Sequence, residues 1–203
     1  MLDITKKDKI MNAGLEEFAE HGYSMASTDR ISDRAGVSKG LIFHYFGSKS
    51  KLYMILMNDC IDKMLEKYKN IDIENKDFIS IIRELIKIKY KFFIENPLHY
   101  KLIINGFNNT PKQLDKELNQ KYEEITQIGI DSFTHIIKSL PLKKNVSVES
   151  AVSIILGIQN VIQNKYLYHF TDAPYSFEKY FNDAADEFIE LINIVLYGII
   201  DEK

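Results

Sequence analysis

At 203 residues, with 45% hydrophobic and 27% charged side chains, the chain has enough apolar mass for a real core and enough charge for solubility. A net charge of −3 excludes a generally basic nucleic-acid coat, so any attraction to DNA must be local. The single cysteine, Cys60, excludes an internal disulfide and a multi-cysteine zinc site, and fits a reducing cytoplasm.

The chain begins Met1-Leu-Asp-Ile-Thr-Lys-Lys-Asp, a charged start that predicts no secretory leader. A first helix is predicted from about Thr5 to His21, with Ile10, Ala13 and Phe18 inward and Gly22 as its stop. Residues 27–49 then read as two short helices joined by a sharp turn. Ser27 can cap the first of them, because its hydroxyl can accept a backbone N–H. Ile31 and Ala35 lie four apart on one face. Gly36 follows the last helical residue, where a left-handed backbone is cheap only for glycine. Val37 turns inward, Ser38 is predicted to cap the second helix, and Ile42 and Phe46 are its buried pair. This is a helix-turn-helix layout, whose second helix normally enters the DNA major groove. The outward positions of that helix carry Lys39, Phe43 and His44 with no acid among them, a surface that suits phosphate oxygens and base edges.

Residues 9–52 resemble the DNA-binding domain of the TetR family of bacterial regulators. The resemblance rests on Lys9-Ile10, Ala13, Phe18, Gly22-Tyr23, Ser27, Ile31, Ala35-Gly36-Val37-Ser38, Gly40, Ile42-Phe43, Tyr45-Phe46, Lys49 and Leu52. Two positions depart from the family pattern: Phe43 stands where Tyr is usual, so a phenolic phosphate contact is missing, and Ser32 stands where Ala is usual. With the helix-turn-helix layout, the resemblance points to Lys39 for base-edge contact and to Gly40 for close approach. Ser27, Thr28, Tyr45 and Lys49 would hold phosphates, and Phe43 and His44 would meet backbone or bases. Ser38 completes the expected reading face. Leu41 has two open roles, contact with a thymine methyl or packing on the preceding helix.

Beyond residue 47 the sequence predicts more helix and no strand of useful length, for an all-α fold of about nine helices. The expected domains are a DNA-binding domain at residues 1–47 and a helical effector-binding and dimerisation domain at 48–203. A fourth helix starts near Ser48 with Leu52, Ile55, Leu56, Ile61, Met64 and Leu65 on its stripe, and gives way to a polar linker at Lys69–Lys76. A fifth helix runs from about Asp77 to Glu95 with Phe78, Ile81, Ile82, Leu85, Ile88 and Phe92 as its stripe. Pro97 opens a short sixth helix, and a long seventh ends near Ser139. The eighth is expected over 148–170 and the ninth over 176–198.

The last two helices are apolar nearly all round, which implies burial on two sides. One side should face the protomer core and the other a twin protomer, in a four-helix bundle, with Val152, Ile155, Phe188, Leu191 and Val195 expected at the dimer interface. The TetR resemblance also implies a homodimer through two C-terminal helices. The longest apolar run, Ile194–Ile200, is too short to span a bilayer, so no membrane partner is expected.

No phosphate loop, His-Glu-x-x-His or Gly-x-Ser-x-Gly signature is present, so no catalytic residue and no enzyme activity are expected. His21, His44, His99, His135 and His169 are scattered singly, which predicts no metal site, and no cofactor is implied. The resemblance implies a small-molecule effector in the larger domain. Its expected contacts are Asn105, Phe107, Tyr122, Phe133, Gln159 and Gln163, although any one aromatic more often serves the core and the amides can face solvent or the dimer seam. The acid excess of the residues after Ser50 leans toward neutral or cationic effectors. Together these features describe a cytoplasmic repressor released from a palindromic operator by its effector. The alternatives are an activator of the same fold, or an all-α ligand-binding protein or enzyme that leaves residues 27–49 unexplained.

Overall fold

The computed structural model describes residues 5–69, 71, 76–167 and 174–199. Among them are nine α-helices and no strand: α1 Lys6–Met25, α2 Thr28–Ala35, α3 Lys39–Phe46, α4 Lys49–Glu66, α5 Phe78–Glu95, α6 Pro97–Asn108, α7 Asp115–Lys138, α8 Val148–Leu167 and α9 Pro174–Ile199, with a 3-10 turn at Lys112–Leu114 before α7. The expected linker at 69–76 lies mostly outside the described residues, as do the expected end of the eighth helix at Phe170 and the side chains of Phe177, Tyr180, Phe181 and Ile199.

Two compact units are present, the first built from residues up to Lys67 with Glu95–Glu123, the second from Tyr68–Ile94 with Glu124 onward. The first unit therefore extends past the expected domain boundary at residue 47. The reason is packing. Ile10 and Phe18 of α1, Ile31 of α2, Ile42 of α3, Leu52 and Met57 of α4 and Leu102 of α6 are all closed to solvent in one core. A capping box starts α1: the Thr5 hydroxyl accepts the Asp8 amide at 3.2 Å and the Asp8 carboxylate accepts the Thr5 amide at 3.2 Å. Gly22, with φ 65°, kinks α1 before its last turn. Gly106 of α6 lies so close to α4 that a Cβ there would stand 2.7 Å from Met57 Cε and 2.9 Å from the Tyr53 hydroxyl, so a larger residue would force the ends of those side chains to move.

The second unit contains α5, the rest of α7, α8 and α9. Its core joins Ile81 and Ile82, Ile136 and Ile137, Val152 and Ile155, and Phe188 and Ile192. α8 and α9 run antiparallel: Lys165 and Tyr166 meet Glu187 at one end, and Ile155 shares an apolar crevice with Val195 at the other. That crevice has a free volume of about 10 Å³, room for roughly one water.

The residues expected at an interface on these two helices differ in burial within the chain. Val152, Ile155 and Phe188 are 4%, 4% and 5% exposed and belong to the core of their own unit; Leu191 and Val195 are half-buried beside them. Among the described residues of these helices, the large apolar side chains left outside are Ile154 and Val161 on α8 and Ile194 and Tyr197 on α9. A residue two places along a helix is turned by about 200°, so the two stripes of an all-round apolar helix interleave in the sequence, and only packing separates them.

Candidate nucleic-acid interface

The chemistry of residues 27–49 begins with α2. The Ser27 hydroxyl accepts the Asp29 amide at 3.2 Å, as a cap should. Gly36 closes the helix with φ 64° and ψ 39°, a left-handed conformation that a side chain would strain, and the turn brings Val37 back against the core. Ser32 is buried, and its hydroxyl donates to the Asp29 carbonyl at 2.8 Å, so the hydroxyl that departs from the family pattern has a partner. Ser38 precedes α3 but makes no side-chain cap bond, contrary to the sequence expectation, so its exposed hydroxyl is not used to start the helix.

α3 is held from one side only. Ile42 and Phe46 are buried, and Leu41 is half-buried against the same core, which places it in the packing role. Ser38, Lys39, Gly40, Phe43, His44 and Tyr45 are exposed. A Cβ added at Gly40 would meet nothing within 4 Å, so the protein's own packing does not ask for glycine there. Thr28 is half-buried at the start of α2. Lys49 is half-buried, with its ammonium 4.7 Å from the Tyr23 ring centroid and 3.5 Å from the Ser24 carbonyl. Burial pushes that ammonium below the ordinary lysine value.

Two ion pairs organise this face, and sequence reasoning missed both. Glu17 is completely buried in α1. One of its oxygens accepts the Ser27 amide at 2.8 Å, and Arg30 Nε donates to both carboxylate oxygens at 2.9 and 3.1 Å. Arg30 also donates to the Met25 carbonyl at 2.8 Å. Burial alone would raise the Glu17 carboxyl. The Arg30 and Ser27 hydrogen bonds outweigh it and hold the group below the usual carboxylate range. Glu17 thus sets where α2 starts relative to α1. Its signal was its register: position 17 falls on the inward stripe of Ile10, Ala13 and Gly14, where a charge needs a partner. The second pair is exposed. Lys39 Nζ lies 2.8 and 2.9 Å from the two Asp29 carboxylate oxygens, so the expected base reader is held by an acid of α2.

The residues expected to hold an effector divide between the units. In the first unit the Phe107 and Tyr122 rings meet edge to face at 5.5 Å, and the Asn105 amide donates to the Ala19 carbonyl at 3.4 Å, so this amide has a partner within the fold. In the second unit Phe133 and Gln159 are half-buried and Gln163 is exposed. Cys60 is buried with Sγ 3.6 Å from the His99 carbonyl, and burial pushes its thiol up to about 12, which leaves it inert as a nucleophile. Among the described residues no helix is long and apolar enough to cross a membrane.

Residues 10–54 match the family described as bacterial regulatory proteins, tetR family. The HTH-type transcriptional activator FasR of Mycolicibacterium smegmatis is 25% identical over 126 residues, covering 62% of this chain and 58% of its own length. The chain thus spans little more than half of that relative. The fatty acid metabolism regulator protein of Bacillus subtilis is 25% identical over 159 residues, covering 73% of this chain and 77% of its own. The fold is that of a TetR-like transcriptional regulator from Rhodococcus sp. RHA1, with a TM-score of 0.68 at 14% identity over 98% of this chain and 99% of that one.

Proposed function

This chain belongs to the tetR family of bacterial regulatory proteins, and we propose that it is a cytoplasmic homodimer that binds a palindromic operator and represses transcription until a small-molecule effector releases it. Residues 1–47 read DNA in this account, and 48–203 bind the effector and the second protomer. Each protomer places α3 in the major groove of one half-site, the half-sites being about one helical turn, or a multiple of it, apart. Lys39 reaches a base edge, ideally guanine O6 and N7, and Gly40 lets the backbone come close. Ser27, Thr28, Ser38, Tyr45 and Lys49 hold phosphates, with Phe43 and His44 against backbone or bases.

One observation carries this reading. The outer face of α3 is exposed and free of acids, while Ile42 and Phe46 of its inner face are buried in the core. A dimer seated on a promoter excludes other proteins from it. An effector that prefers a dimer with mismatched reading heads lowers operator affinity, and DNA lowers effector affinity by the same factor. The second protomer covers Ile154, Val161, Ile194 and Tyr197. The name of the mycobacterial relative favours a second reading, activation from the same fold. Fluorescence anisotropy on the DNA upstream of the chain's own gene tests the first step, and transcription from that DNA with and without the protein separates repression from activation. Absence of sequence preference would refute the proposal.

A further inference from the structure

The arginines and lysines of residues 27–49 are held in different ways. Arg30 is bound to the buried Glu17, and Arg34 lies 3.3 Å from Glu16 and 3.4 Å from Glu20, so both are tied to α1. Lys49 meets two neutral groups, the Tyr23 ring and the Ser24 carbonyl. Lys39 differs from all of them. It opens α3 on the exposed face, and its ammonium reaches across the turn to Asp29 in the first turn of α2. The Asp29 amide donates to the Ser27 hydroxyl and the Asp29 carbonyl accepts from the Ser32 hydroxyl, so the backbone under the carboxylate is fixed. Lys39 Nζ is 2.8 and 2.9 Å from the two carboxylate oxygens, which take at most two of its three hydrogens and leave one to donate. The pair is open to a partner, with Lys39 47% and Asp29 66% exposed. An exposed ion pair adds little to stability, so folding alone does not explain an acid on a face that has to approach phosphates.

We propose that Asp29 is a specificity-determining residue, which reserves Lys39 for a base edge and keeps it off the phosphates. This rests on the reading of α3 as the helix that enters DNA. A phosphate attracts a lysine through its full charge. Asp29 cancels that charge locally, and its carboxylate repels any phosphate that comes near. Moving Lys39 onto the backbone therefore breaks the pair and brings two anions together. A guanine edge is neutral. Its O6 or N7 accepts the hydrogen that Asp29 leaves free, and the pair stays whole. Lys39 then contributes to the choice of base and little to the attraction that every sequence shares. Lys49 does the reverse, because its neutral partners leave its charge for phosphate whatever the sequence. What holds each lysine in the free protein thus sorts the two into their roles on DNA.

The test uses the full-length protein and two duplexes of equal length and composition, the DNA upstream of its own gene and a shuffled version of it. Affinity is read by anisotropy across a potassium chloride series. Asp29→Asn keeps the shape of the residue and its backbone hydrogen bonds and removes its charge. With one exposed pair released in each protomer, affinity for the shuffled duplex should rise about ten-fold and for the operator about two-fold at most, so that discrimination falls about five-fold. The salt slope on shuffled DNA should steepen by about one per protomer, because each freed Lys39 neutralises a phosphate. In a Lys39→Ala background the same Asp29→Asn change should alter discrimination by less than about two-fold, since the acid acts through that lysine. Unchanged discrimination and salt slope in Asp29→Asn, or an equal effect with and without Lys39, overturns the role of Asp29 while the DNA reading stands. A wild-type protein that binds both duplexes equally overturns the DNA reading as well.

Discussion

The two units differ in what they leave exposed. In the first, Glu17 is buried but fully engaged by Arg30 and the Ser27 amide, and Lys39 is exposed but paired with Asp29. In the second, Glu187 is engaged by Lys165 and Tyr166, while four large apolar side chains on α8 and α9 stand at 43% exposure or more. A reading head has to hold its shape before DNA arrives, so its polar groups are satisfied within the fold. A unit proposed to meet a second copy leaves apolar surface for it to cover.

The contrast breaks most sharply at the exposed stripe. Replacing Val161 and Ile194, 61% and 63% exposed, with Glu should give a folded monomer with operator affinity reduced a hundred-fold or more, by sedimentation and anisotropy. The same change at Val152 and Ile155 should unfold the unit instead, because those side chains lie in its own core. A dimer that survives the Val161 and Ile194 changes would place the interface elsewhere.

Next in size is the buried pair. Glu17→Ala leaves Arg30 and the Ser27 amide without their acceptor and should cost about 3 kcal/mol in urea unfolding. The pH dependence follows from the depressed Glu17 pKa. Its contribution is complete above the ordinary carboxylate range and is lost as pH falls through the lower folded value. Acid titration of stability should therefore be shallower in Glu17→Gln than in wild type. An equal slope would remove the assigned role.

Smaller effects belong to the reading face. Lys39→Ala should relax sequence preference and cost roughly 1–3 kcal/mol at the contacted base pair. Lys49→Ala should weaken all sequences alike and flatten the salt dependence. The smallest change, with the opposite sign, is expected at Asp29. An exposed ion pair is worth about 0–1 kcal/mol, so Asp29→Asn should free Lys39 and tighten binding slightly, more on non-specific DNA than on the operator. Weaker binding by Asp29→Asn would mean that the acid positions Lys39 rather than restrains it.

Much of the first unit was legible because its signals are local. The Ser27 cap, the left-handed Gly36 and the spacing of Ile31, Ala35, Ile42 and Phe46 each act within a few residues, and each stands in the structure as the pattern requires. Ser38 failed as a cap because the competing conformations of a hydroxyl before a helix cost little to exchange. The Glu17–Arg30 pair spans two helices, and no short window contains it. The second unit was legible as helices but not as surfaces. Helices apolar on every side do not declare which stripe meets their own core, and sequence alone did not show that Val152, Ile155 and Phe188 lie in it.

The central claim is that the exposed face of α3 reads DNA sequence. Footprinting of the wild-type protein and of Lys39→Ala on the DNA upstream of its own gene tests it most directly. The account predicts two protected half-sites about one helical turn apart for wild type, and for Lys39→Ala a loss of discrimination at one base pair in each half-site with the protected length unchanged. Uniform protection without half-sites, or identical base preferences in the two proteins, would contradict it.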